Sequence, residues 1–104
     1  WTGTLSATIS NSASFNIGSR NDGSLPFNGM IDEVAMFNSE LSASDVATLY
    51  NNGVPGDISS LSPLGWWRMG EDISSFPTMP DKGSGGNNGT LTNMASDDIV
   101  GDTP

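Results

Sequence analysis

The first ten residues, WTGTLSATIS, alternate strictly. Trp1, Gly3, Leu5, Ala7 and Ile9 share one parity, and Thr2, Thr4, Ser6, Thr8 and Ser10 the other. Period-two alternation puts one face towards a core and one towards water, which is the pattern of a half-buried strand. A second strand is expected at SFNIGS, with Phe15 and Ile17 inward. SRNDGS (19–24) then reads as a turn in which Asp22-Gly23 supplies the positive-φ position. Residues 1–18 and 26–37 are accordingly expected to form consecutive antiparallel strands.

The run from Phe27 to Phe37 alternates less cleanly. Ile31, Glu33, Ala35 and Phe37 share one parity, and Met30, Asp32, Val34 and Met36 the other, so each face carries one acid among apolar groups. Burying an unpartnered carboxylate is too costly to persist. Two readings stay open: a bulge near Gly29 shifts the register, or overlying loops give the acids polar partners.

One helix is expected, over 42–52. Ser42 is a good N-cap and Asp45, three residues on, completes a capping box; Leu41 and Val46 fit a hydrophobic staple. Val46, Leu49 and Tyr50 form one apolar stripe, and Asn52-Gly53 followed by Pro55 is a stop signal. So short a helix with one stripe needs a sheet to lie on. LGWWRMG (64–70) reads as another strand, with Trp66 and Arg68 on one face and Trp67 and Met69 on the other. DKGSGGNNGTLTNM supplies a glycine-rich turn and a last short strand around Leu91. The acidic end, ASDDIVGDTP, is expected to fray.

Composition narrows the function classes. Twelve acids against three basic residues give a net charge of −9, which disfavours nucleic acid and anionic membrane surfaces as partners. A hydrophobic fraction of 35%, with Gly, Ser, Thr and Asn abundant, fits short strands joined by many turns. No run approaches the roughly 20 apolar residues of a membrane span. The chain has neither cysteine nor histidine, so disulfides, thiolate chemistry, nucleophilic triads and the commonest zinc ligand are missing. It opens on Trp1 rather than Met, and is expected to be processed or the tail of something longer.

Candidate chemistry is sparse. Asp32 and Glu33 are neighbours on a strand and point to opposite faces. Unless a bulge intervenes, they therefore cannot flank one glycosidic bond at the separation of about 5 to 10 Å that hydrolysis needs. GSGGNNG (83–89) lacks the lysine and spacing of a phosphate-binding loop and is no dinucleotide fingerprint. Asp81, Asn87 and Asn88 offer oxygen ligands suited to calcium, though without EF-hand spacing. Asn88-Gly89-Thr90 is a formal glycosylation sequon. Trp66 and Trp67 are packing residues on the structural reading and a sugar-stacking platform on the functional one.

FNIGSR…LPFNGMIDEVAMFNSELSASDVATLYNNGVP resembles the closing half of laminin-G-like, concanavalin A-like jelly rolls, a group that includes the pentraxins. The resemblance covers about residues 15–55 and rests on Gly29, Ile31, Asp32, Glu33 and Val34, then Leu41, Ser42, Asp45, Val46, Tyr50 and Gly53. WWRMG…DKGSGGNNGTLTN is similar to the opening of the same domain type, and GWWRM to the pentraxins' Trp-containing final strand. The resemblance implies an all-β antiparallel sandwich, a concanavalin A-like jelly roll with one short helix, incomplete in this chain. Residues 1–55 would be its closing half and 56–104 would complete or extend it. The family's calcium-bearing loops have no counterpart here, so none of its metal residues carries over.

Tails of this composition also resemble those of marine bacteriophage virion proteins. Two functions follow as expectations. The first is a non-catalytic structural or interaction module at an extracellular or virion surface, a decoration or fibre component. Its partners would be other subunits or the upstream part of the same protein. The second is a lectin-like domain holding cell-surface glycans through Trp66 or Trp67, with calcium. Asp32, Glu33, Ser42, Asp45 and Gly53 are read as a structural signature. One of the two acids is expected to accept backbone N–H groups from a turn near Ser39 or at 81–89.

Overall fold

A computed structural model of the protein describes residues 14–100. The chain divides into two units, Trp1–Met30 and Ile31–Pro104. The expected strand over residues 1–10 lies outside the described residues.

In the first unit, residues 14–18 form no strand, and Phe15 and Ile17 are exposed. Of the expected pairing of residues 1–18 with 26–37, the part in residues 1–13 lies outside the described residues, and residues 14–18 contribute one backbone hydrogen bond, from the Phe27 N–H to the Gly18 carbonyl. The turn at 19–24 does form: Gly23 takes φ +80° and donates its N–H to the Arg20 carbonyl. Asp22 Oδ1 accepts both the N–H and the hydroxyl of Ser24. Short polar side chains that bond backbone two residues on make such turns self-contained.

The second unit holds two small antiparallel sheets and one α-helix. β1 (Val34–Met36) pairs with β2 (Gly65–Trp67) in the register Val34↔Trp67, Ala35↔Trp66, Met36↔Gly65. β3 (Thr78–Met79) pairs with β4 (Gly89–Thr90). Helix α1 (Ala43–Tyr50) lies between β1 and β2 in the chain. Ile58, Trp66, Trp67 and Met79 make the core.

Among the described residues, each expected strand that forms is shorter than the sequence pattern implies. The run 26–37 is cut to three residues because Glu33 takes φ +50°, a left-handed conformation that breaks the pleat just before Val34. The irregularity therefore falls at Glu33 and not as a bulge near Gly29. The strand at 64–70 stops at Trp67, and Met69 adopts φ +61° two residues on. The last strand ends at Thr90, one residue before Leu91.

The helix forms as its capping signals require. Ser42 Oγ accepts the Asp45 N–H, and Asp45 Oδ2 accepts the Ser42 N–H in return. The α-helix ends at Tyr50, and a 3-10 turn over Asn51–Gly53 completes the expected 42–52 span. Its apolar stripe is not buried. Val46 is 52% and Tyr50 67% exposed, and only Leu49 is half-buried.

Candidate functional site

The polar centre of the second unit is built on the β1–β2 ladder. Extended by one step, the register sets Glu33 against Arg68, with Ala35 against Trp66 on the same parity. Cross-strand neighbours on one face lie close enough for direct side-chain contact. Glu33 Oε1 accepts from Arg68 Nε at 3.0 Å, and Glu33 Oε2 from the Trp66 indole N–H at 2.7 Å. Arg68 also donates to Glu71 Oε1 at 2.9 Å, and its guanidinium sits 5.4 Å from the centre of the Trp66 ring. The Glu33 hydrogen bond, foremost among its causes, holds the Arg68 pKa above its ordinary value.

Of the pair at 32–33, Glu33 is the acid whose partners the ladder defines. Glu33 accepts side-chain N–H groups from β2 and its continuation, not backbone N–H groups of a turn. The reason is the register, which places Trp66 and Arg68 on its side of the ladder. Asp32 is exposed.

Backbone clasping falls to Asp81. Its Oδ1 accepts the N–H of Trp66 at 2.9 Å and of Gly83 at 2.8 Å, and its Oδ2 accepts the N–H of Asn87 at 2.7 Å. Desolvation raises its pKa, but the three backbone N–H donors outweigh this and leave it below the ordinary value of 3.8. Asn88 Oδ1 accepts the Asp81 N–H, and the Asn87 carbonyl accepts the Trp67 indole N–H.

The structure therefore brings Asp81, Asn87 and Asn88 together, as the calcium reading required, with backbone N–H donors on the oxygens that a cation would use. The loop also runs along the far edge of β2, where Lys82 N–H bonds the Trp66 carbonyl and Gly85 N–H the Leu64 carbonyl. It packs so closely that a Cβ on Gly83 would lie 2.5 Å from the Leu64 oxygen.

Trp66 and Trp67 are 5% and 7% exposed, and both indole N–H groups are directed inward to protein acceptors. A stacking platform needs an open ring face; these two rings form the core. Ser42, Asp45 and Gly53 shape the helix and its exit, Gly53 at φ +79°.

Two features escaped the sequence reading. Asp32, Glu33 and Glu71 bring one carboxylate oxygen each within 4.8 Å of one another, beside Arg68. A groove of about 240 Å³ runs between β1 and α1, with Glu33, Ala35 and Phe37 on the strand side and Leu49, Pro55 and Ile58 opposite. A second cleft of about 240 Å³ continues it past Asp32 to Tyr50 and Val54. Glu71 lies 38 positions from Glu33, and no local signal announced the grouping.

Residues 2–47 match a laminin-G-type family model, described as the concanavalin A-like lectin/glucanases superfamily. The match supports a laminin-G-like, concanavalin A-like domain and agrees with the β-rich architecture; a complete sandwich is not present among the described residues. The stretch from Trp66 to Asn93, which resembles the opening of such a domain, lies outside the matched residues. Neither a curated protein nor a solved structure matches the chain. Among the described residues no helix is long and apolar enough to cross a membrane.

Proposed function

We propose that this chain is a non-catalytic structural or interaction module of the laminin-G-like kind, one subunit's share of a larger assembly. The observation that carries the reading is the balance of apolar side chains. Among the described residues four large apolar side chains are buried, and fourteen are exposed. Exposed apolar groups in such proportion mark surfaces that another chain covers. The chemistry-bearing residues support the same reading, because Glu33, Asp81, Trp66 and Trp67 are engaged in holding β1, β2 and the 81–88 loop together. The finer proposal is a decoration or fibre component of a bacteriophage particle, at an extracellular or virion surface.

The test is the composition of the purified native assembly together with the intact mass of this polypeptide in it. Whole-number stoichiometry supports a structural module. A mass well above 10.8 kDa makes these residues part of a longer subunit. The second reading is glycan binding, which the superfamily's description favours. It predicts sugar- or calcium-dependent tryptophan fluorescence in a protein absent from any stoichiometric assembly.

A further inference from the structure

At four steps of the chain a glycine directly follows an asparagine or aspartate: Asp22-Gly23, Asn28-Gly29, Asn52-Gly53 and Asn88-Gly89. Such a step can close on itself. The glycine nitrogen attacks the preceding side-chain Cγ, and the lack of a Cβ on the attacking residue leaves its approach unobstructed. Closure needs the backbone to turn about the Cα–C bond of the first residue. It also needs the glycine N–H released from any acceptor. Where hydrogen bonds hold these groups, the reaction waits on a local opening that breaks them.

Three of the four steps are held. Gly23 donates its N–H to the Arg20 carbonyl at 2.9 Å, and Asp22 Oδ1 accepts the Ser24 hydroxyl and N–H. Those Ser24 bonds, the hydroxyl's first, keep the Asp22 pKa below its ordinary value, so the group stands as an anion and a poor electrophile. Asn52, at φ 55° and ψ 30°, lies inside a turn closed twice between its neighbours. The Val54 N–H bonds the Asn51 carbonyl, and the Asn51 amide bonds the Val54 carbonyl. At that ψ the Asn52 Cβ stands nearly opposite the Gly53 nitrogen across the Cα–C bond. Asn88 Oδ1 accepts the Asp81 N–H at 3.0 Å. The Leu91 N–H on the Pro77 carbonyl, two residues along the β3–β4 ladder, makes Met79–Gly89 a hydrogen-bonded pair, so the Met79 carbonyl holds the Gly89 N–H.

Asn28-Gly29 is the fourth. The loop before it is closed by the Phe27 N–H on the Gly18 carbonyl, which leaves the Asn28 Cα–C bond outside the closed ring. Residues 20–30 are exposed throughout. Among the described residues no hydrogen bond holds the Asn28 amide or the Gly29 N–H. The nearest atoms to a Cβ built on Gly29 are those of the Phe27 ring, at 2.9 Å, the end of an exposed side chain that can swing aside.

We propose that Asn28-Gly29 is a site of spontaneous covalent modification in the folded protein, converting to isoaspartate and aspartate ahead of the other three steps. The Gly29 nitrogen gives its proton to base and bonds to Asn28 Cγ. The bond from Cγ to the amide nitrogen breaks, and that nitrogen takes up a proton and leaves as ammonia. Water then opens the cyclic imide at either carbonyl. One opening gives aspartate; the other routes the backbone through the side chain and lengthens it by a methylene. Either product adds one negative charge to the net −9 of the chain. Solvent water is the co-reactant, and nothing is oxidised or reduced. The inference goes beyond the module reading and does not depend on it.

The full chain is incubated at mildly alkaline pH, sampled over time, quenched in acid and cut with pepsin. Products at 22, 28, 52 and 88 are quantified by peptide mapping against synthetic isoaspartate standards. Conversion at Asn28 should be at least about tenfold faster than at Asn52 or Asn88, where two hydrogen bonds must open first. In urea, with those bonds gone, the three asparagines should converge on one rate. Asn28→Gln should abolish the fast conversion and leave positions 52 and 88 as they were. Native conversion at Asn28 no faster than at Asn52 or Asn88 would overturn the proposal. So would an order of rates that persists in urea, since neighbouring sequence and not the fold would then set it.

Discussion

Glu33 and Arg68 face each other one step beyond the β1–β2 ladder, 3.0 Å apart, with the Trp66 indole N–H on the carboxylate's other oxygen. Two part-buried donors therefore depend on one acid in a left-handed conformation. Removing it strands both.

Glu33→Ala should lower stability by about 1–3 kcal/mol in urea unfolding, the usual cost of leaving part-buried donors unpaired. Glu33→Gln, which keeps an acceptor for the indole, should cost less. Asp32→Ala, at an exposed position, should cost less than Glu33→Ala. Equal losses at 32 and 33 would contradict the assignment of the structural role to Glu33.

Asp81 makes stability depend on acid pH. Its folded pKa lies below the ordinary 3.8, so its contribution is complete above that value and is lost as pH falls through the folded pKa. Asp22, lowered by the Ser24 hydroxyl and N–H, and Asp57, lowered by Ser59, act with the same sign. Unfolding midpoints measured below pH 4 should fall more gently in Asp81→Asn than in the parent. That variant should also be about 1–3 kcal/mol less stable at neutral pH.

Two glycines of the 81–88 loop separate crowding from backbone conformation. At Gly83 a Cβ would meet the Leu64 carbonyl oxygen and carbon and the Gly65 Cα, backbone atoms that cannot swing aside. Gly83→Ala should cost about 1–3 kcal/mol or more and loosen β2. At Gly86, φ is +64° with open space around, so alanine should cost only about 1–2 kcal/mol. Amide exchange at Trp66 should rise in the first variant and stay unchanged in the second.

Ser42→Ala removes the acceptor for the Asp45 N–H and half of the capping box. About 1 kcal/mol of stability should go, with a matching loss of helical signal in circular dichroism.

These contacts differ in how far the sequence reveals them. The capping box and the Asp22-Gly23 turn are made between residues two or three apart, so their geometry is written locally. The loop at 83–89 was legible from its glycines, although the bonds that hold it reach to Asp81, Leu64 and Trp67. Alternation, however, reports only which side of a pleat a residue favours. It did not report that Glu33 leaves the pleat, because a left-handed glutamate is held by partners 33 and 35 positions away. Asp81, Asn87 and Asn88 were picked out as oxygen donors, but oxygen atoms suit N–H groups as well as cations. The choice was made by β2, whose edge needed acceptors. Packing was the favoured reading of the adjacent tryptophans, which alternate across β2; each indole N–H meets a distant acceptor, Glu33 for Trp66 and the Asn87 carbonyl for Trp67.

The separation between β1 and β2 also sets a timetable. Among the described residues the strand that pairs with β1 lies some thirty residues downstream, and the loop that secures β2 follows later still. A ribosome adding about 5–20 residues per second delivers Trp66 roughly two to seven seconds after Glu33. Through that interval the segment from Ile31 to Phe37 lacks the β2 partner it has in the folded unit, and the short capped helix is without that sheet. Folding of this unit is therefore governed from its far end: release of the nascent chain beyond residue 88, not synthesis of β1, starts it.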